Sequence, residues 1–348
     1  MRGRIVFLGG AERRFRRTEF FFPASLVASA IVDERARIDD VCGRLRNHYV
    51  FPDIAEKLTV VLQAKLSEGA YAGLDDEAFA VAVTQDLQSL NGDKHLRLRH
   101  HVDPLPEVDG ESFDPEQFRR EAELNGHGIA SARRLPGNVG YLETKLLYGP
   151  DIAGEALSAA MTLLATTDAL IVDVRENRGG DPMAVALLIS YLVDEPVHYN
   201  SIYLRDGDVT NQFWTLPYVP GRKFGADKPV WVLTGPTTFS GAEDLSYSLQ
   251  QLDRAKTVGA VTGGGANPRR QYKVDTYLDI TVPGGRAVNP VTGTNWEGVG
   301  VRPDIAVDVE AAFDTAYALA LEHVLTLGDS GVRRPVADEA RLTLARLG

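Results

Sequence analysis

The sequence predicts an α/β protein: a parallel-rich sheet with helices on both faces, preceded by a small helical subdomain. Three observations predict it. Residues 33–91 carry apolar side chains at helical spacing in three separate runs. From residue 138 onward, short apolar runs alternate with amphipathic segments, the pattern of a parallel sheet buried on both sides. The run Val230-Trp-Val-Leu-Thr ends in Gly-Pro-Thr-Thr-Phe, after which a helix opens at Ser240.

Composition sets the outer bounds. A chain of 348 residues is about two domains long, and its net charge of −11 argues against nonspecific nucleic-acid binding, which needs a basic face. The single cysteine, Cys42, excludes an internal disulfide and any Cys-rich metal site, and it falls on the apolar side of a helix. No run approaches the eighteen apolar residues of a membrane span. Residues 1–32 form a leader that reads in two ways. Arg13-Arg14-Phe15-Arg16-Arg17, an apolar run and Ala28-Ser29-Ala30 follow the order of a secretory signal. Pro23 and the late basic cluster favour instead a disordered leader on a cytoplasmic protein.

In the helical part, Ile38, Val41, Cys42, Leu45 and Tyr49 mark one face of the first helix. Pro52 breaks the chain, and Asp53 with Glu56 reads as a capping box for a second helix, with Ile54, Leu58, Val61, Leu62 and Leu66 inward. Asp75 or Asp76 opens a third, with Phe79, Val83, Leu87 and Leu90 on one side. After Gly92, alternation predicts a half-buried strand with Leu96 and Leu98 facing in and His95, Arg97 and Arg99 facing out. A lone histidine there is ordinarily a surface residue. His100 and His101 read as solvated. The expected layout is the leader, a helical subdomain over 33–101, a linker over 102–136, the main α/β domain over 137–327 and a peripheral tail over 328–348.

Within the main domain, strands are expected at 139–147, 169–174, 197–204, 230–234 and 256–261, helices at 152–164, 183–192 and 309–327, and an antiparallel strand at 272–282. Ligand sites in parallel sheets lie at the carboxyl ends of strands. The turn Arg175-Glu-Asn-Arg-Gly179-Gly180 and the Ser240 turn both sit at such ends, so they can meet. Ser240 is therefore a candidate nucleophile at a helix N-terminus, with Gly241 permitting close backbone approach. The bland reading is that Ser240 and Glu243 form S-x-x-E, a capping box without chemistry. Thr262-Gly-Gly-Gly is not a phosphate loop, because no Gly-Lys-Ser/Thr follows. Glu297, in a turn-rich loop beside Trp296, reads as a loop glutamate paired with an arginine.

Four motifs come in a familiar order: Asp173-Val-Arg-Glu-Asn-Arg-Gly179-Gly180, Thr238-Phe-Ser240-Gly-Ala-Glu243, Val258-Gly-x-x-Thr-Gly-Gly-Gly265 and Glu297-Gly-Val-Gly-Val-Arg-Pro303-Asp304. Together they resemble the tail-specific protease family, which includes C-terminal processing peptidases, the tricorn core protease and the interphotoreceptor retinoid-binding protein repeats. The helical part with Gly92-Asp-Lys-His95-Leu is similar to the tricorn and retinoid-binding branch. The resemblance implies a crotonase/Clp-like spiral core and peptide-bond hydrolysis by a serine nucleophile, with no metal or cofactor. Peptide or protein would be the substrate. Processing peptidases carry a lysine base in the segment that is all glycine here, so Lys256 is only an alternative base. Tricorn-like members use a histidine and a late glutamate, which His95 and Glu297 match, although the serine before that histidine is Lys94 here.

The expected site is thus Ser240 as nucleophile, His95 as general base, Glu297 as orienting acid, and N–H groups of Gly241 with Gly180 or Gly179 for the oxyanion. Two other readings stay open. One is a non-enzymatic binder of hydrophobic ligands, with Phe213-Trp214-Thr-Leu-Pro-Tyr218 lining an apolar cleft. The other is an esterase using the same residues.

Overall fold

The computed structural model describes residues 34–105 and 115–348, so the leader lies outside the described residues. Residues 34–348 form one unit. Three helices come first: α1 (Glu34–His48), α2 (Pro52–Ser67) and α3 (Asp76–Leu87). The predicted apolar faces are buried at Ile38, Val41, Cys42, Leu45, Leu58, Leu62, Phe79, Val83 and Leu87, while Leu90 is exposed. Asp75 caps α3 by accepting the Ala78 N–H at 2.8 Å. The expected capping box on α2 is absent. Phe51 takes the cap position with Pro52 at the first turn, and Glu56 instead pairs with Arg46 at 3.1 Å.

Strand β1 (Arg97–His100) follows, then α4 (Pro115–Leu124) and the antiparallel pair β2 (Ile129–Leu135) and β3 (Val139–Thr144). The expected linker therefore carries a helix and a strand of the main sheet. Next come α5 (Pro150–Leu164), β4 (Ala169–Asp173), α6 (Pro182–Ser190), β5 (His198–Leu204), β6 (Val209–Trp214), β7 (Val230–Thr234), α7 (Gly241–Gln251) and β8 (Lys256–Gly259). The predicted strand at 272–282 is a hairpin of β9 (Arg269–Lys273) and β10 (Leu278–Pro283), because Asp275 accepts the N–H groups of Tyr277 and Leu278 and turns the chain. Strands β11 (Gly285–Val288) and β12 (Ile305–Ala306) and helices α8 (Ala312–Thr326) and α9 (Arg334–Leu347) complete the chain.

The main sheet runs β12-β8-β7-β4-β3-β2, parallel except for β2 at its edge. Its central strands β4 and β7 are buried at every residue, which is why they read as unbroken apolar runs. Helices α5, α6 and α7 cover one face, and α8 covers the other. The predicted peripheral tail holds α9, whose Ala340 is buried in the cluster on that second face.

The helical subdomain does not close on itself. Leu278, Ile280 and Val282 of β10 complete its core, and β10 pairs with β1 in register Arg97↔Thr281. This pairing delivers the segment just before β1 to the sheet's carboxyl-end face. It also removes His101 from solvent contact alone: its Nε2 meets Asp279 at 2.5 Å, beside the Arg99–Asp279 pair. Among the described residues, no helix is long and apolar enough to cross a membrane.

Candidate active site

The turn after β7 is pinned to the turn after β4. Thr238 donates its hydroxyl to the Val174 carbonyl at 2.8 Å and accepts the Gly235 N–H at 3.0 Å, while the Phe239 N–H donates to the Asn177 carbonyl at 3.0 Å. Ser240 then leaves the turn at φ 54°, ψ −120°, immediately before α7. A non-glycine residue there costs about 1–3 kcal/mol, and it persists only where surrounding contacts hold it. Those contacts centre on Glu243, which is fully buried. Its carboxylate accepts the N–H of Ser240 (2.8 Å), Gly264 (2.6 Å) and Gly265 (2.9 Å) and the hydroxyl of Thr262 (2.5 Å). The S-x-x-E pair is therefore more than a helix cap: it joins the Ser240 turn to the glycine loop after β8. Burial raises the Glu243 pKa above its ordinary value, and these donors offset only part of that rise.

Gly179 and Gly180 press against Ser240 and Gly241. At Gly179 (φ 98°) a Cβ would lie 2.7 Å from the Ser240 Cβ and from the Gly241 nitrogen. At Gly180 (φ 140°) it would lie 2.0 Å from the Leu147 carbonyl oxygen. Of the three expected oxyanion donors, Gly179 has its N–H engaged by the Asn177 side chain at 2.7 Å. The N–H groups of Gly180 and Gly241 have no acceptor among the described residues, and the two glycines are in contact.

His95 is buried, only 7% exposed, not on a solvated face as its strand alternation suggested. Asp93 holds the local bend. Its carboxylate accepts the His95 N–H, the Tyr49 hydroxyl and the Asn267 amide, each at 3.0 Å. Thr281 of β10 donates to the His95 carbonyl at 2.6 Å. The imidazole packs on the Phe239 ring at 4.6 Å and lies over Gly265, where a Cβ would come within 2.8 Å of it. Burial, with Arg269 and Arg97 nearby, lowers the His95 pKa to about 3.

Among the described residues, Glu297 forms no ion pair with an arginine. Its Oε2 accepts the Ala266 N–H at 2.5 Å, and the neighbouring Trp296 donates to the Gly265 carbonyl at 3.0 Å. Burial and then the charge of Asp93 push the Glu297 pKa up to about 8. Ligand atoms of Asp93, His95 and Glu297 all lie within 4.8 Å of one another. His95 Nδ1 and Glu297 Oε1 are both buried without a hydrogen-bond partner. Among the described residues no hydrogen bond joins His95 to Ser240 or to Glu297.

Ser240, Gly241, Gly180 and His95 line one cleft of about 700 Å³, with Trp296 and Tyr148 on its walls. Lys256 is not brought there. It pairs in register with Trp231 at the start of β7, whereas Ser240 follows that strand's other end. Its exposed ammonium meets Asp253 at 2.6 Å. Nor does the Phe213–Tyr218 stretch line this cleft: Trp214 stacks on His198 at 5.0 Å, and Tyr218 is 76% exposed. Sequence reasoning gave no part to Asp93, Asn177 or Asn267. Asp93 stood inside the quoted Gly-Asp-Lys-His motif, and that adjacency was its one available signal.

The sequence pattern of peptidase family S41 matches residues 138–307, and that of the N-terminal domain of peptidase S41 in eukaryotic IRBP matches residues 27–124. The chain belongs to peptidase family S41. As an S41 peptidase it is a serine-type hydrolase acting on peptide or protein. Solved structures share its fold. A candidate peptidase of Parabacteroides merdae ATCC 43184 is 17% identical, with a TM-score of 0.59 over 86% of this chain and 99% of that one. A lipoprotein from Streptococcus agalactiae is 14% identical, with a TM-score of 0.54 over 83% and 96%. The tricorn protease is 14% identical, with a TM-score of 0.50 over 89% of this S41 chain and 37% of its own.

Proposed function

We propose that this peptidase cleaves peptide bonds by acyl transfer through Ser240, with His95 as general base, Glu297 as the orienting carboxyl, and the N–H groups of Gly241 and Gly180 holding the oxyanion. The observation that carries this reading is the strained Ser240 backbone beside two unpartnered amides, in a cleft that His95 also lines.

In the proposed reaction His95 takes the hydroxyl proton as the Ser240 oxygen attacks the scissile carbonyl. The same proton then goes to the leaving amine, and water repeats the cycle on the acyl-enzyme. The lowered His95 pKa keeps the imidazole neutral at pH 7, with its lone pair free, but burial also makes it a weaker base until a counter-charge is supplied. The imidazolium formed in the attack needs a counter-charge. His95 Nδ1 and Glu297 Oε1 are two buried atoms without partners, and approach of one to the other satisfies both. Glu297 supplies that charge once ionised.

Ser240→Ala, His95→Ala and Glu297→Gln, assayed on a mixed peptide pool, test the assignment. Loss of about 10³-fold or more in kcat/KM is expected for the first two. Lys256→Ala is expected to retain the wild-type rate. Full hydrolysis by Ser240→Ala would refute the reading.

A further inference from the structure

A second cavity of about 330 Å³ adjoins the cleft and shares His95, Phe239, Arg178 and Arg269 with it, without Ser240 in its lining. Its lining carries Lys94, Arg97, Arg99, Arg178 and Arg269, and no carboxylate. This is unexpected in a chain of net charge −11. The cleft itself has the opposite character on another wall, where Asp151, Asp181 and Asp244 face it.

The partners of these cations decide how much charge is left. Arg99 is neutralised by Asp279, which it meets through two hydrogen bonds at 2.8 and 3.2 Å. The Lys94 ammonium is held by the Gly263 carbonyl at 2.6 Å, and Arg97 Nε by the Lys94 carbonyl at 2.5 Å. Carbonyl oxygens position a cation without cancelling its charge. The Arg178 side chain has no hydrogen bond or ion pair among the described residues. Lys94 in the loop before β1, Arg97 at the start of β1 and Arg178 in the turn after β4 thus present uncancelled positive charge.

We infer that this cavity is a carboxylate subsite, which takes an acidic side chain or the terminal carboxylate of the bound peptide. The argument rests on the cleft being the peptide-binding site proposed above. The anions a peptide carries are carboxylates, guanidinium groups pair with them through two parallel hydrogen bonds, and the cavity opens where the chain passes His95. The subsite makes the enzyme prefer peptides with a carboxylate a short distance from the scissile bond.

The test uses peptides in four matched forms: glutamate or glutamine at each position near the cleaved bond, each with a free or an amidated C-terminus. Glutamate is expected to raise kcat/KM about tenfold over glutamine at one position, the size of one charge-assisted hydrogen bond. If only the free C-terminus gives this gain, the source is the terminal carboxylate. Arg97→Gln with Arg178→Gln is expected to abolish the glutamate-over-glutamine ratio measured within that variant, and Arg97→Glu with Arg178→Glu to invert it in favour of glutamine. Each variant is assayed on acid and amide peptides at the same pH, so a change in the base alters both rates and leaves their ratio. Binding of the same peptides to the full chain carrying Ser240→Ala, read by fluorescence anisotropy, reports the subsite without hydrolysis. If wild type neither cleaves nor labels with a fluorophosphonate while Ser240→Ala still prefers carboxylate peptides, the catalytic reading fails and the subsite stands. Equal affinity for acid and amide peptides, unchanged by charge reversal, overturns the subsite.

Discussion

The buried carboxylate of Glu243 accepts the backbone N–H of Ser240 at 2.8 Å, and its remaining hydrogen bonds go to Thr262, Gly264 and Gly265. One side chain therefore sets both the Ser240 turn and the glycine loop on which His95 rests. Glu243→Gln turns one acceptor oxygen into a donor facing N–H groups. The substitution is expected to cost about 2–4 kcal/mol, the range for leaving buried donors unpaired. Urea unfolding reads the loss, and peptide hydrolysis should fall with it, because both halves of the site shift.

Ser240 holds its strained backbone against the preferences of its own side chain. Ser240→Gly relieves that strain and is a tolerated helix cap. The variant is expected to gain about 1 kcal/mol in stability, after the flexibility of glycine in the unfolded chain is set against the strain removed. A raised Tm together with abolished hydrolysis would be the signature of a backbone held for chemistry. An unchanged or lowered Tm would show that φ 54° carries no cost here.

Gly241→Ala separates the oxyanion support proposed for this residue from folding. The new Cβ would sit 3.0 Å from the Gly180 nitrogen and carbonyl oxygen, tight but not prohibitive. The two glycines must part by a few tenths of an ångström, which spoils their aim on a shared oxygen. A fall of about 10²–10³ in kcat, with Tm nearly unchanged, is expected. Steady-state kinetics beside a thermal melt checks both halves.

The opposed shifts of His95 and Glu297 give a pH dependence with a defined sign. Glu297 ionises at about 8 in the folded chain and near 4.5 when unfolded. Between those values the folded state holds the extra proton, so its contribution is fully present below pH 4.5 and is lost as pH rises to 8. His95 runs the other way: its neutral form is buried, so stability is lost as pH falls from 6.5 towards 3. Glu297→Gln removes the first effect. Its Tm relative to wild type should be higher at pH 8 than at pH 5. In wild type, kcat/KM should climb towards pH 8 as Glu297 ionises, and this limb should vanish in Glu297→Gln.

Much of this was legible in the sequence, for identifiable reasons. Strands β4 and β7 are buried on both faces, so their apolar runs stood out, and the turns after them had to share one edge of the sheet. Ser240 was visible because a strand, a tight turn and a helix follow one another without a gap. The burial of His95 was not legible. Local alternation put it on a polar face, and what covers it comes from Phe239, Gly265 and β10, more than a hundred residues away. The carboxyl of Asp93 was hidden similarly, since its partners Tyr49 and Asn267 lie 44 and 174 residues away. Register excluded Lys256: a position at the start of β8 lies beside the start of β7, and about 10 Å of strand separates it from the Ser240 end.

The most direct measurement is the mapping of a fluorophosphonate adduct by peptide mass spectrometry, on wild type and on His95→Ala. The account predicts a single adduct on the peptide containing Ser240, formed at least a hundredfold more slowly without the imidazole. An adduct on another residue, or labelling of Ser240 at the same rate in both proteins, would contradict it.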